Sequence, residues 1–399
     1  MEVLKDYALK IEEQLIEWRR HLHRYPECSF QEKETSAFVK KQLESIPGMT
    51  VFESNVGYGV VGTLSNGVGP TIALRADMDA LPIKEEADVS FSSEHPGVMH
   101  ACGHDAHTAI LLGAATLLAE QFNHKSRTGT IKFVFQPAEE STDETNTSGG
   151  LYLVKEGVYD DVDMAFALHM CPWLTPDAIQ VYKGPAMGSL DVFKGTIKGT
   201  GGHGAYPHLG TDPVWLLSQI LPTLYSLQSR FISPLEAAVL SIGIIQGGRA
   251  NNVIPSEVYV EGTVRCYSAA TRNDLIEEIK KAFTLANVFG GEGTCLIDSG
   301  EPALVNNDEA VDVIVETAKK LYPDDRIVEA PYGMGSEDFA HTAEKTRSAM
   351  FFLGCKPEHG QYDLHTPLFQ IDEACLKKGA TLLASMALAA LQGGIDNEA

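Results

Sequence analysis

Basic residues are scarce in this chain of 399 residues. The 31 Lys and Arg face 54 Asp and Glu, for a formal net charge of −23. That balance excludes the basic patches on which nucleic-acid recognition rests, and it opposes adsorption to anionic membranes. The surplus of acid serves solubility. Long apolar runs are missing too. The longest candidate, "AILLGAATLLA", is about half the ~20 residues that span a bilayer. The opening "MEVLKDYALKIEEQLIEWRRHLHRYPE" is an amphipathic helical pattern without an apolar core or a small-residue cleavage site, so no secretory signal is expected. Cysteine is sparse and unpatterned: the seven residues Cys28, Cys102, Cys171, Cys266, Cys295, Cys355 and Cys375 show no framework spacing. An odd, dispersed set predicts reduced thiols and a cytoplasmic protein. Six of them are expected to be small packing residues, with Cys102 the exception.

What is present is ordinary α/β material. Hydrophobic residues make up 44% of the chain, enough for one large domain or two ordinary ones. Up to about residue 185, helical patterns alternate with short β-rich runs. "IEEQLIEWRRHLHRY", "ETSAFVKKQLESI" and the alanine-rich "TAILLGAATLLAEQF" read as helices; "YGVVGTL", "TIALRAD", "GTIKFVFQP" and "DMAFALHM" read as strands. Such alternation predicts a mostly parallel, mixed sheet flanked by helices. From Ser189 the pattern becomes β-α-β-β-α-β, the ferredoxin-like order. After Pro302 helices and short apolar strands return. The expected organisation is therefore a larger domain in two parts, 1–188 and 302–399, with an inserted α+β domain over 189–301.

Chemistry-bearing residues collect after strands or before a helix, where an open parallel sheet gathers ligands. "RADMDALP" places Asp77 and Asp79 after a strand. "MHACGHDAHT" packs Cys102 and His104 ahead of the alanine-rich helix. "QPAEES" offers Glu139 and Glu140, "ALHM" offers His169, and "LHTP" offers His365. Cys102 and His104 form a mixed soft and borderline pair that suits zinc, or manganese, cobalt or nickel if carboxylates join in. Two adjacent glutamates can divide labour: one ligates a metal while the other takes a proton from a bound water. Each cluster alone has a plainer explanation. "PAEE" is an ordinary surface turn, His169 a satisfied core histidine, and Asp105 or Thr108 a helix cap. Their recurrence at converging strand ends favours a metal site.

The ordered motifs "WRRHLHRYPECSFQE", "RADMDALPI", "MHACGHDAHTA", "FQPAEE", "GTGGHGAYPH", "NNVIPSEVYVEGTVR", "GSEDF" and "LHTP" run through essentially the whole chain. In them the sequence resembles the cocatalytic-metal aminoacylase and carboxypeptidase superfamily. Within it, the resemblance is to the subfamily of N-acyl-L-amino acid amidohydrolases, hippurate hydrolases, indole-acetyl-amino acid hydrolases and N-acetyldiaminopimelate deacetylases. The resemblance implies a metal-dependent exopeptidase type of fold with two divalent metal ions per subunit, zinc or manganese, cobalt or nickel. It implies Cys102, where other branches carry a bridging aspartate, with His104, Glu140, His169 and His365 as ligands. Glu139 is then the general base that activates a metal-bound water, and Asp79 supports the centre from behind. Asp77 stands where other branches have a metal-binding histidine, and His104 replaces that ligand.

In the inserted lid or dimerisation domain, the resemblance makes His203 a group that polarises the scissile carbonyl in a partner subunit, so a homodimer or higher homo-oligomer is expected. Asn252 and Arg265 would hold the carboxylate of a small N-acyl amino acid. Two departures stand out. "YPECSFQE" replaces the usual "HPELSFQE", putting Tyr25 and Cys28 at packing positions. "GSEDF" replaces "GGEDF", placing Ser336 where it could tune specificity and leaving Glu337 as a metal contact or an orienting group. The expected activity is hydrolysis of the amide bond of N-acyl-L-amino acids. A dipeptidase or carboxypeptidase, or an N-acetyldiaminopimelate deacetylase, is the alternative with the same centre. A non-catalytic binding protein on the same fold is a third reading.

Overall fold

Pro137 ends the strand Gly129–Gln136, since a residue without an N–H cannot extend the ladder. That strand belongs to a sheet of eight, in the order Thr50–Glu53, Val60–Asn66, Gly129–Gln136, Thr71–Asp77, Met164–Cys171, Arg347–Gly354, Ala178–Val181 and Arg326–Glu329. The four middle strands run parallel to one another. Antiparallel pairings join Val60–Asn66 to the middle on one side and Ala178–Val181 on the other. The sheet is thus mixed, with a parallel centre. Thr71–Asp77 and Met164–Cys171 are buried at every position, as expected for strands covered on both faces.

The computed structural model describes residues 2–55, 57–122, 128–360 and 362–393. It divides into two compact units. The first comprises residues 1–184, 305–331 and 341–399, and holds the eight-stranded sheet. Its helix His104–Phe122 is apolar around almost its whole circumference, and the side chains from His104 to Thr108 are all buried. It packs on the equally apolar Cys375–Leu391. Gly113 permits the close approach: a Cβ there would lie 2.5 Å from Leu15 and 3.1 Å from Ala380. Asp308–Leu321 is amphipathic, caps its own N-terminus through Asn307, and buries its apolar stripe against the sheet.

The second unit comprises residues 185–304 and 332–340. Its four strands are ordered Ala238–Gly247, Glu257–Cys266, Asp191–Lys198 and Glu292–Ser299, all antiparallel. With the helices Pro213–Arg230 and Ala269–Phe283 this is the β-α-β-β-α-β unit. Glu257–Cys266 alternates strictly between buried and less buried positions, and Phe193, Ile197, Leu224, Val260 and Phe283 fill the core beneath. Asp212 starts the first helix by accepting the N–H groups of Val214 and Trp215, with Pro213 in the position that needs no donor. The segment Tyr332–Ala340, which the sequence reading leaves with the surrounding chain, groups with this unit. The hydrogen bond Tyr332 N–H to Ala186 O measures 2.8 Å, and Gly188 N–H to Gly335 O measures 2.9 Å.

No helix among the described residues is long and apolar enough to cross a membrane. All seven cysteines are free, and five of them are buried.

Candidate metal centre

Three adjacent parallel strands end at the same edge of the first unit's sheet, and each delivers functional side chains there. Thr71–Asp77 leads into Asp79. Gly129–Gln136 leads into Glu139 and Glu140. Met164–Cys171 carries His169 near its end. Gly103, between Cys102 and His104, has φ +91°, and a Cβ on it would meet Met170 Cγ at 2.7 Å. A glycine is therefore needed to turn the chain from Cys102 into the helix that starts at His104. The loop carrying His365 is tied in by a 2.8 Å hydrogen bond from its N–H to Ala101 O.

Two residues other than glycine adopt positive φ here, Ala138 at 47° and His365 at 59°. Such backbone costs about 1–3 kcal/mol and persists where its surroundings fix it. At Ala138 those surroundings are explicit. The buried Glu32 accepts its N–H at 2.7 Å, and Gly149 N–H donates to its carbonyl at 2.9 Å. Glu140 N–H, two residues on, donates to Asp79 Oδ2 at 3.0 Å. The turn that presents the two glutamates is thus held at both ends.

The sulfur of Cys102 lies 3.4 Å from His169 Nε2 and 3.3 Å from His365 Nε2. His365 Nε2 is also 3.2 Å from Glu140 Oε1, and that oxygen is 3.8 Å from His104 Nε2. Donor atoms of Cys102, His104 and His169 fall within 4.8 Å of one another; so do those of Cys102, Glu140 and His365, and those of His104, Glu139 and Glu140. Glu140 and His104 are common to overlapping groups, as a two-ion centre requires.

Hydrogen bonds fix which nitrogens are free. His169 Nδ1–H donates to Met170 O at 2.8 Å, and His104 Nδ1 meets Asp79 Oδ1 at 3.2 Å. Each ring therefore turns Nε2 toward the shared space. His104 Nε2 is buried and has no hydrogen-bond partner. A buried nitrogen left without a hydrogen bond is open to a further partner, and a metal ion is one that fits.

The electrostatics agree. Burial opposes charge on His104, yet Asp77, Asp79 and Glu140 outweigh it and raise the imidazole to about 10. The surroundings thus call for a positive charge at that point, supplied by a proton or by a metal ion. Burial, then the charges of Glu140, Glu139 and Asp77, push the Cys102 thiol well above its ordinary value. A nearby cation is what would release its proton. Burial holds His169 well below its ordinary value, leaving it neutral and able to ligate. On donor type, orphaned nitrogen and field, the residues present fit divalent ions.

The structure therefore gathers Asp79, Cys102, His104, Glu139, Glu140, His169 and His365 in the first unit. His203, Asn252 and Arg265 belong to the second. There His203 pairs with Val253 in a short antiparallel ladder, and Gly204 N–H donates to Asn252 O at 2.8 Å, so the His203 and Asn252 segments are neighbours. Both side chains are exposed. His203 Nδ1 accepts Ala205 N–H at 3.0 Å, which puts the proton of the neutral ring on Nε2. Arg265 is half-buried and donates to Met334 O at 2.9 Å. Ser336 lies in the Tyr332–Ala340 segment, and the carboxylate of Glu337 accepts Phe339 N–H at 3.0 Å.

Neither residue of the capping alternative is the N-cap, because the helix already begins at His104, although Asp105 Oδ1 does accept Ala106 N–H in the first turn at 2.9 Å. Asp105 takes the guanidinium of Arg19 and the ring of His23, each at 2.8 Å, and the Thr108 hydroxyl donates to Asp77 O at 2.9 Å. Two residues were missed from the sequence: Glu32, which holds the Ala138 turn, and His107, whose nitrogens face Asp77 and Met170. The glutamate of "SFQE" and the second histidine of "HDAH" were their signals.

A profile of peptidase family M20/M25/M40 matches residues 73–389. The N-acetyl-L-cysteine deacetylase of Bacillus subtilis is 41% identical to the chain over 382 residues, which cover 94% of this chain and 87% of that protein. The thermostable carboxypeptidase 2 of Saccharolobus solfataricus is 37% identical over 397 residues, 97% of this chain and 98% of that one. Among solved structures, the Bacillus subtilis YXEP protein, described as a dinuclear metal binding peptidase from the M20 family, superposes with a TM-score of 0.83 at 32% identity. The match covers 96% of this chain and 99% of that one.

Proposed function

The chain belongs to peptidase family M20/M25/M40, and from that premise we propose that it hydrolyses the amide bond of N-acyl-L-amino acids with a pair of divalent metal ions. The observation that carries this reading is the convergence of Cys102, His104, Glu140, His169 and His365 beside Glu139 at one edge of the parallel strands. Those five residues would hold the ions. When bound, the ions supply Lewis acidity toward the acyl carbonyl and make a water acidic enough to attack near neutral pH. Cys102 favours zinc by its softness; manganese, cobalt and nickel suit the nitrogen and oxygen donors.

Glu139, next in sequence to the ligand Glu140, takes the proton of the attacking water and passes it to the leaving amine. Asp79 keeps His104 and Glu140 in place. His203 donates from Nε2 to the oxyanion, the proton position that its hydrogen bond from Ala205 leaves open. Its exposure suits service in a partner subunit, so that the working form is a homodimer. Arg265 and Asn252 take the substrate carboxylate, Arg265 through its two-pronged guanidinium. The seven free thiols suit the reducing cytoplasm.

The test is metal content by elemental analysis of protein purified without chelator, paired with hydrolysis of N-acetyl-L-methionine and hippurate before and after chelation. About two metals per chain, with activity lost on chelation and restored by zinc, manganese or cobalt, is the expected result. The relative named a carboxypeptidase favours a second reading, cleavage of peptide bonds at the same centre. Turnover of dipeptides with none of the N-acyl substrates would put that reading in its place.

A further inference from the structure

His107 has the donor atoms of a metal ligand in the right company. One of its ring nitrogens lies within 4.8 Å of donors on Asp77 and His104, and all three residues are buried. By composition this is another metal site beside the first. Its hydrogen bonds say otherwise. Met170 N–H donates to His107 Nε2 at 2.8 Å, so that nitrogen carries no proton and its lone pair is spent. Nδ1 must then carry the proton, and it donates to Asp77 Oδ1 at 2.6 Å. Asp77 is held in turn by Arg75, whose Nη1 donates to Oδ2 at 2.7 Å, while Arg75 Nε donates to Gln136 Oε1 at 2.9 Å. A fixed guanidinium on Asp77 further opposes a metal ion there.

The acceptor role of His107 falls on the residue that also receives His169. Met170 offers its N–H to His107 and its carbonyl, at 2.8 Å, to His169 Nδ1. The two rings pack with centroids 4.8 Å apart. One residue of backbone is thus gripped from both sides, and the orientation of His169 Nε2 toward Cys102 Sγ follows from where Met170 is held.

We propose that His107 is a positioning residue: through the N–H of Met170 it fixes His169, and so one half of the metal centre, without touching a metal ion. This rests on the metal-centre reading above. Substrate chemistry does not need His107; correct ligand geometry does.

The experiment separates its two hydrogen bonds. His107→Gln places an amide oxygen near the former Nε2 and can still accept from Met170, while losing the bond to Asp77. His107→Asn keeps a donor near the former Nδ1 and loses the acceptor. Zinc stoichiometry and affinity are measured by competition with a chromophoric chelator, and Co²⁺ substitution follows the thiolate-to-metal absorption of Cys102. Thermal unfolding of each variant reports folding.

The proposal expects wild type and His107→Gln to bind two equivalents with affinities within about threefold. In His107→Asn one of the two equivalents should weaken by ~10–100-fold, the usual effect of losing a residue that orients a ligand, with a shifted Co²⁺ spectrum. Wild-type affinity for both ions in a folded His107→Asn overturns it. So does the reverse pattern, Gln impaired and Asn intact, which would assign the effect to Asp77. A third tightly bound equivalent, lost in both variants, would make His107 a ligand and also overturn it. Wild-type protein that binds no metal would bring down the metal-centre reading itself, and this inference with it, a result distinct from all the others.

Discussion

Asp79 meets the ring of His104 at Nδ1, 3.2 Å away, and so decides which nitrogen His104 keeps free. Its other oxygen accepts the Ser29 hydroxyl at 2.6 Å and Glu140 N–H at 3.0 Å. One carboxylate therefore orients two of the proposed ligands. Asp79→Ala should leave the ligand set complete but weaken metal binding by ~10–100-fold. A chelator-competition titration checks this, and unchanged affinity would reduce Asp79 to packing.

Glu139 makes the opposite prediction. Glu139→Ala should keep both metal ions and lose at least ~100-fold in turnover, the lower end of what a general base contributes. Elemental analysis and steady-state kinetics on the same preparation separate the two effects. Near-normal turnover would remove Glu139 from the mechanism.

Glu32 yields a pH dependence. Burial, aided by the charge of Asp79, raises its carboxyl to about 8. Between its unfolded value near ~4.3 and that native value, the folded protein holds a proton that the unfolded chain releases. Stability from this group is therefore fully present below the unfolded value and lost as pH rises toward 8. Glu32→Gln keeps an acceptor for Ala138 N–H and removes the titration. Its melting temperature relative to wild type should rise from pH 5 to about pH 8 and level off above it; a constant difference would show that Glu32 is ionised throughout.

Asp105 tests the scaffold instead of the chemistry. It is buried and holds both Arg19 and His23 at 2.8 Å. Asp105→Ala strands two buried cationic groups and should cost about 3–5 kcal/mol, read by urea denaturation. A loss below 1 kcal/mol would mean that Glu373 and Glu85, the other partners of Arg19 and His23, suffice.

The parts legible in the sequence were those with distinctive chemistry or clear punctuation. Cys102, His104, Glu139, Glu140, His169 and His365 are legible as donor-type residues at strand ends, ahead of a helix or in a late loop. The strands themselves were bracketed by glycine, proline and aspartate, as Gly129–Gln136 is by Pro137. His107 was not legible because a histidine that spends its nitrogens on a carboxylate and a backbone N–H has the same letter as one that binds metal. Glu32 was hidden because its partner is a main-chain amide more than a hundred positions away. The strands Thr50–Glu53, Ala178–Val181 and Arg326–Glu329 have four residues each, too few to show a period, so these outer strands are not legible, whereas the antiparallel Val60–Asn66 is, in "YGVVGTL".

The proposed ligands are drawn from Cys102, the first helix after it, two later strand ends, and a loop at His365, beyond the whole second unit in the chain. A ribosome must therefore pass both the first part of the sheet domain and the whole second unit before the imidazole of His365 is available. Full-affinity metal capture becomes a late event in the life of the molecule, a seal set on a framework already assembled. Bound metal would then report that the strand ends and the His365 loop have come together, a mark of assembly rather than of any one element.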